Sequence, residues 1–195
     1  MQWEAIVLQS VLDVYIVALL DRGFETCYDL QRRGGLSLGS TVPALRRLEA
    51  AGLVRKTGHL GTRKRPRNGY QASAAGRKLA QTAWIPLLKD RPPGDLDAVL
   101  RLADLAQHYG AKVADIASLF ERAAKDREAL AKQVSVGRGK SGVVPLLYVA
   151  TRNDWDACRL AAENRFLTRL AKSVMSEDTR TPKRGLRQRA DGVRR

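Results

Sequence analysis

The sequence predicts a mainly α fold: a winged helix-turn-helix of three helices and a two-stranded wing, joined to a C-terminal all-helical dimerisation region. Two observations predict it. In the stretch LSLGSTVPALRRLEAAGLVRK, Leu45, Leu48 and Leu53 recur at spacings that bury one side of a helix and of the strand after it, while Arg46 and Arg47 point away. From Leu36 to Arg77 the elements then read as helix, turn, short strand, arginine-rich loop, second strand and another helix. A chain of 195 residues with 44% apolar composition has material for a packed core. The expected division is a winged-helix DNA-binding half over residues 1–90, a helical dimerisation region over 95–177 and a disordered basic tail over 178–195.

The first helix is expected from Trp3 to Asp21, its second half apolar on nearly every face, as suits a helix buried between neighbours. Arg22-Gly23-Phe24-Glu25 makes a turn, Thr26 caps a short helix reaching Arg33, and Gly34-Gly35 ends it. The third helix, residues 39–51, is the candidate recognition helix. Started near Gly39-Ser40, it has Pro43 in its first turn, where a missing N–H costs little. At 100° per residue, Leu38, Thr41, Leu45 and Leu48 gather on one side and Ser40, Pro43, Arg46 and Arg47 on the other. Gly52, able to adopt a left-handed conformation, stops the helix before the β-prone Leu53-Val54 pair.

Leu53 to Thr57 and Gly69 to Ala72 are expected to pair as the wing. The loop between them, GHLGTRKRPRN (residues 58–68), carries Arg63, Lys64, Arg65 and Arg67 and no acid. Four like charges in one loop cannot pack inward. They suit a phosphate backbone or a narrow minor groove, where the weakly hydrated guanidinium is cheaper to desolvate than an ammonium. Arg55, on the first wing strand, joins this set.

The net charge of +15 is localised in the same way. Residues 51–91 hold 10 basic side chains and 1 acidic, and residues 179–195 hold 7 and 1, while the remaining blocks nearly cancel. Two concentrated patches point to a polyanion, since each neutralised phosphate releases condensed counterions. Duplex DNA fits better than a membrane, because neither patch lies on an amphipathic helix with Trp, Phe or Leu opposite the cations. The tail, without apolar periodicity, is expected to add backbone affinity that is independent of sequence.

With those residues in view, Val17 to Lys78 resembles the PadR family of transcriptional regulators. The matching segments are Ala18-Leu19-Leu20, Tyr28-Asp29-Leu30, the run from Gly39 to Val54, and Tyr70 to Arg77 after the wing. They cover about a third of the chain; the broader winged-helix families such as MarR share the layout. The resemblance implies a dimeric repressor with DNA contacts from Ser40, Thr41, Arg46, Arg63 and Arg65. Val42 stands where the family usually has tyrosine, and the wing loop is longer and more basic than usual.

Beyond the wing, Pro86 and then Arg91-Pro92-Pro93-Gly94 are expected to end the DNA-binding half and form a linker. Asp95 or Asp97 caps a helix to Tyr109, Gly110 breaks it, and Ala111 to Val134 is helical again. Ser135 to Gly142 reads as a loop, with a long final helix from Val143 or Pro145. Along that helix Trp155, Cys158, Ala162, Phe166, Leu170 and Val174 recur at steps of three and four. Such a stripe is either intrachain core or the seam of a homodimer. A two-fold dimer would read half-sites about one helical turn apart.

Catalysis is not indicated. Gly137-Arg138-Gly139-Lys140-Ser141 contains a GKS triplet, but Val134 occupies the position where a phosphate-cradling loop needs glycine. His59 and His108 are isolated from each other and from cysteine, so no metal site and no nucleophile–base pair is assembled. Cys27 and Cys158 lack metal-type spacing and read as small buried apolar residues. No cofactor is implied, and nothing in the residues supports a small-molecule effector, though the pattern leaves room for one. The apolar run Val14–Leu20 is too short to span a bilayer and follows no basic n-region, so a reducing cytoplasmic, nucleoid-associated setting is expected. A plasmid partition or nucleoid-structuring protein would use the same fold. An RNA binder would need aromatic platforms, and among the aromatics only Tyr70 lies near the basic wing.

Overall fold

A computed structural model describes residues 10–60, 67–136 and 147–180 of the chain. Seven helices and a two-stranded antiparallel sheet follow in the order α1 (Val11–Asp21), α2 (Cys27–Arg32), α3 (Leu38–Ala50), β1 (Val54–Leu60), β2 (Arg67–Ala72), α4 (Ala74–Lys89), α5 (Leu96–His108), α6 (Val113–Val136) and α7 (Leu147–Arg180). The mainly α winged-helix architecture is as the sequence predicts.

Helix α1 is the central post. Val14, Ile16, Val17, Ala18, Leu19 and Leu20 are all buried, because α3, α4, α5 and β2 pack around it on every side. Ser10 caps it by accepting from the Asp13 N–H. Residues 3–9 of the expected helix lie outside the described residues. Helix α2 opens on a capping box: the Thr26 hydroxyl accepts from the Asp29 N–H at 3.1 Å, and the Asp29 carboxylate accepts from the Thr26 N–H at 3.2 Å.

Helix α3 starts one to two residues earlier than the sequence predicts. Ser37 is the cap, its hydroxyl accepting from the Ser40 N–H, and Pro43 therefore sits in the second turn, where the Gly39 carbonyl goes without its usual donor. Gly39 is exposed, so water can meet that carbonyl. The C-terminus closes as expected: Gly52 has φ +70°, the Leu53 N–H donates to the Leu48 carbonyl and the Gly52 N–H to the Glu49 carbonyl, both at 2.9 Å. This paired return turns the chain into β1.

The strands pair in the register Val54↔Ala72, Arg55↔Gln71 and Lys56↔Tyr70, then shift before His59↔Asn68 and Leu60↔Arg67. Both strands run further than expected, so Arg67 belongs to β2 rather than to the loop. A bridge from Thr26 to Gly69 ties the start of α2 to the wing. The Leu53 carbonyl receives the Ser73 N–H at 2.9 Å and lies against Gly76 in the first turn of α4, where an added Cβ would stand 2.2 Å from it. Gly76→Ala is therefore expected to cost about 3 kcal/mol in a urea melt, because the neighbour that must yield is backbone. Gly39→Ala, with open space around it, is expected to gain up to about 1 kcal/mol.

Pro86 does not end α4, which continues to Lys89. Trp84 and Leu88, on either side of it, are both buried. At about 1.5–3 kcal/mol each, their burial outweighs the roughly 3 kcal/mol cost of an interior proline. The Arg122 guanidinium of α6 then reaches the end of α4 and donates to the Leu88, Lys89 and Asp90 carbonyls. Arg127 donates to the Pro93 carbonyl at 3.3 Å, so the proline-rich turn between α4 and α5 is held by α6 rather than left as a free linker.

Asp95 caps α5 by accepting from the Asp97 and Ala98 N–H groups. Helices α6 and α7 pack antiparallel, Arg127 facing Glu163 and the Ala124 carbonyl receiving the Asn164 amide. The helical reading of residues 135 and 136 replaces the start of the expected loop; the GKS triplet and residues 143–146 lie outside the described residues. Among the described residues, no helix is long and apolar enough to cross a membrane.

Candidate nucleic-acid interface

The outward side of α3 carries Ser40, Pro43, Arg46 and Arg47, all exposed. Thr41 does not join them. It is 1% exposed, and its hydroxyl donates to the Ser37 carbonyl at 2.7 Å, which locks the first turn of the helix from inside. The contact that the family resemblance implies for Thr41 is thus replaced by an internal bond to the carbonyl of Ser37, the residue that caps the helix. Ser40 shares the same cap, its hydroxyl 2.8 Å from that of Ser37.

The two arginines differ in what they touch. Arg47 pairs with the Asp13 carboxylate of α1 at 2.8 Å, and Asp13 is almost fully buried. Arg46 makes no hydrogen bond or ion pair with the described residues and stands free at the rim of α3. Arg47→Ala is expected to lower stability by about 1–3 kcal/mol, since it strips a buried carboxylate of its charge-assisted donor. Arg46→Ala is expected to stay within about 0.5 kcal/mol of wild type. Chemical denaturation of the two variants checks the contrast; equal stability would place Arg47 beside Arg46 as a free surface cation.

Beyond Arg46 the surface passes onto β1. Lys56 bonds to Glu49 at the end of α3 at 2.9 Å, and that hydrogen bond raises its ammonium above the ordinary lysine range. Arg55 donates to its cross-strand partner Gln71 at 2.8 Å on the exposed face. Arg67 lies at the far end of β2, paired in register with Leu60. Arg63, Lys64 and Arg65 lie outside the described residues.

Between α2, α3 and the wing lies a cleft of about 500 Å³. Tyr28 and Gln31 of α2, Leu38, Val42 and Arg46 of α3, and Lys56 and Tyr70 of the wing line it. Burial pushes the Tyr70 phenol up. Leu38, expected on the core side, is 44% exposed, and Tyr28 is 46% exposed. Leu38 is the first residue of α3 and lines the cleft, so its angular position does not bury it. Sequence reasoning named Tyr28 only within the segment that carries the family resemblance and did not single out Gln31 or Lys56; the basic run Arg55-Lys56 was the available signal for the last.

The stripe on α7 divides. Trp155 is 65% exposed, Cys158 and Ala162 are exposed, and Phe166 is at the margin, whereas Leu170 and Val174 are half-buried against the core. The side of α7 that packs on α6 is a different one, formed by Leu160, Leu167 and Ala171. The reading of both cysteines as buried is corrected as well: Cys27 is half-buried and Cys158 exposed. Among the described residues, no group of three or more His, Cys, Asp or Glu side chains is placed to hold a metal ion.

No protein-family model matches the sequence, and no curated protein does. Among solved structures, the chain is similar to a crystal structure of Bacillus subtilis PadR in complex with operator DNA. The TM-score is 0.38 and the sequence identity 15%, over 87% of this chain and 98% of that one.

Proposed function

We propose that the protein is a sequence-specific, duplex-DNA-binding transcriptional regulator that acts as a homodimer and represses. The observation that carries this reading is the run of exposed groups from Ser40, Pro43, Arg46 and Arg47 on α3, through the cleft, to Lys56 and Arg55 on β1. A helix presented on a helix-turn-helix has the width of a major groove, and a wing beside it falls over the adjacent backbone or minor groove. The charge pattern supports the same partner, with 10 basic side chains and 1 acidic over residues 51–91. In this reading Arg46, with Ser40, Pro43 and Arg47 beside it, faces base edges, while Arg55, Arg63, Lys64, Arg65 and Arg67 hold phosphates or the minor groove. Repression follows from the resemblance of Val17–Lys78 to PadR regulators.

The dimer rests on the outer side of α7. Trp155, Ala162 and Phe166 expose apolar surface that no described residue of the same chain covers, and a second α7 across a two-fold axis would cover it. The division into a DNA-binding half through residue 90 and a dimerising half over 95–177 belongs to the same proposal.

Selection of bound fragments from a random duplex pool, followed by gel retardation against single-stranded DNA and A-form RNA, tests the function. Enrichment of a short pseudo-palindrome that neither competitor displaces is expected. Absence of any retarded duplex in dilute buffer would overturn it. Cooperative spreading along all fragments would instead favour a nucleoid-structuring role. Sedimentation of Trp155→Asp and Phe166→Asp tests the seam: both should shift the protein towards monomer, and an unchanged sedimentation coefficient would remove it.

A further inference from the structure

We infer that Leu38, with Val42 and Tyr28 around it, is a specificity-determining contact that reads the methyl group of a thymine in the major groove. The inference rests on the proposed DNA-binding function and deepens it. A large apolar side chain left in water is informative, because folding gains from covering it. Leu38 and Tyr28, each nearly half exposed, lie on the walls of the same cleft. Val42, one turn along α3 from Leu38, is part-buried beneath them.

What occupies this cleft is indicated by the charges that border it. Arg46 and Lys56 stand at its rim, and Arg46 has no partner among the described residues, so the occupant combines anionic and apolar groups. A protein partner with an apolar knob would leave Arg46 to find an acid of its own. A B-form duplex supplies both at fixed spacing: phosphates along the backbone, and in the groove one apolar group, the C5 methyl of thymine. The position of Leu38 agrees, since the N-terminal residues of a recognition helix are those that meet base edges. Gln31, exposed on the facing helix and lining the same cleft, offers the donor–acceptor pair that matches adenine, the base opposite a thymine. Arginine at Arg46 alone would favour guanine; the apolar wall beside it adds a preference for an A·T pair within the same half-site.

The test uses the full chain and a duplex selected by it, resynthesised with deoxyuridine in place of one thymidine at a time. This substitution removes a methyl and changes no hydrogen bond. At one or two positions per half-site, loss of the methyl should weaken wild-type binding about fourfold, as expected for one apolar carbon returned to water. Leu38→Ala should bind the thymidine and deoxyuridine duplexes equally at that position, with an unchanged thermal melt, while Arg46→Ala should keep the fourfold difference. The inference is overturned if no position responds to deoxyuridine, or if Leu38→Ala retains the difference. A Leu38→Ala variant whose oligomeric state changes would also overturn it, by assigning the patch to a protein contact. Failure to select any duplex is a separate result, and one that removes the DNA-binding function itself.

Discussion

Serine at Arg63, Lys64, Arg65 and Arg67 together is expected to lower affinity for every duplex by about three orders of magnitude at ~0.1 M salt. Each cation that meets a phosphate adds about 0.9 to the slope of log affinity against log salt, so four of them add about 3.6. The loss should fall alike on selected and unrelated duplexes, because phosphates carry no base identity. Reversing charge at Arg46 should do the opposite, relaxing the choice among sequences more than the affinity for all of them; Arg47 is kept, because it pairs with the buried Asp13. Titrations by fluorescence anisotropy at several salt concentrations distinguish the two outcomes. A quadruple variant with the wild-type salt slope would mean that the wing never meets the backbone.

Glu163→Ala is expected to destabilise the fold by about 3–5 kcal/mol. The Arg127 guanidinium is 1% exposed, and Glu163 receives its Nε–H at 2.7 Å. Without that carboxylate the buried cation keeps, among the described residues, only the Pro93 carbonyl, at 3.3 Å. The reverse substitution is milder, because Glu163 is also bonded by Arg159 at 2.9 Å and remains compensated when Arg127 is gone. Replacing both members by methionine should recover most of the loss, since two apolar side chains leave no buried charge behind. Urea denaturation of the two single variants and the double variant closes the cycle. Equal costs for Arg127→Ala and Glu163→Ala would show that Arg159 contributes nothing.

The parts of the fold legible in the sequence are those decided locally. Thr26 and Asp95 cap helices because a short oxygen-bearing side chain reaches N–H groups two or three residues on. Gly52 ends α3 because a left-handed residue is needed at that point, and neither depends on distant packing. Pro86 misleads for the converse reason: only the tertiary burial of Trp84 and Leu88 shows that the helix continues through it. The candidate interface divides in the same way. Helical periodicity places Arg46 and Arg47 outside, but it cannot say that Arg47 meets a buried acid 34 positions earlier, or that Leu38 lines an open cleft. On α7 the large residues Trp155 and Phe166 draw the eye, yet the packed side uses Leu160, Leu167 and Ala171, with Asn164 donating to a carbonyl of α6. Arg127 is invisible to such reasoning, since arginine is seldom buried and its partner lies 36 residues away.

The grip of Arg122 and Arg127 on the turn after α4 bears on how a pair of subunits would measure DNA. With the carbonyls of Leu88, Lys89, Asp90 and Pro93 held by guanidinium groups, the turn between α4 and α5 is tied to α6, and in the proposed dimer each reading head would be carried stiffly on its helical half. Two such pieces joined along their helical halves, as proposed, would form a caliper with a set opening. One extra base pair between half-sites displaces the second head by about 3.4 Å and rotates it by about 35° around the duplex axis. In such a dimer the turn between α4 and α5 would give no joint in which to absorb that step, so operator spacing would be as strict a requirement as operator sequence.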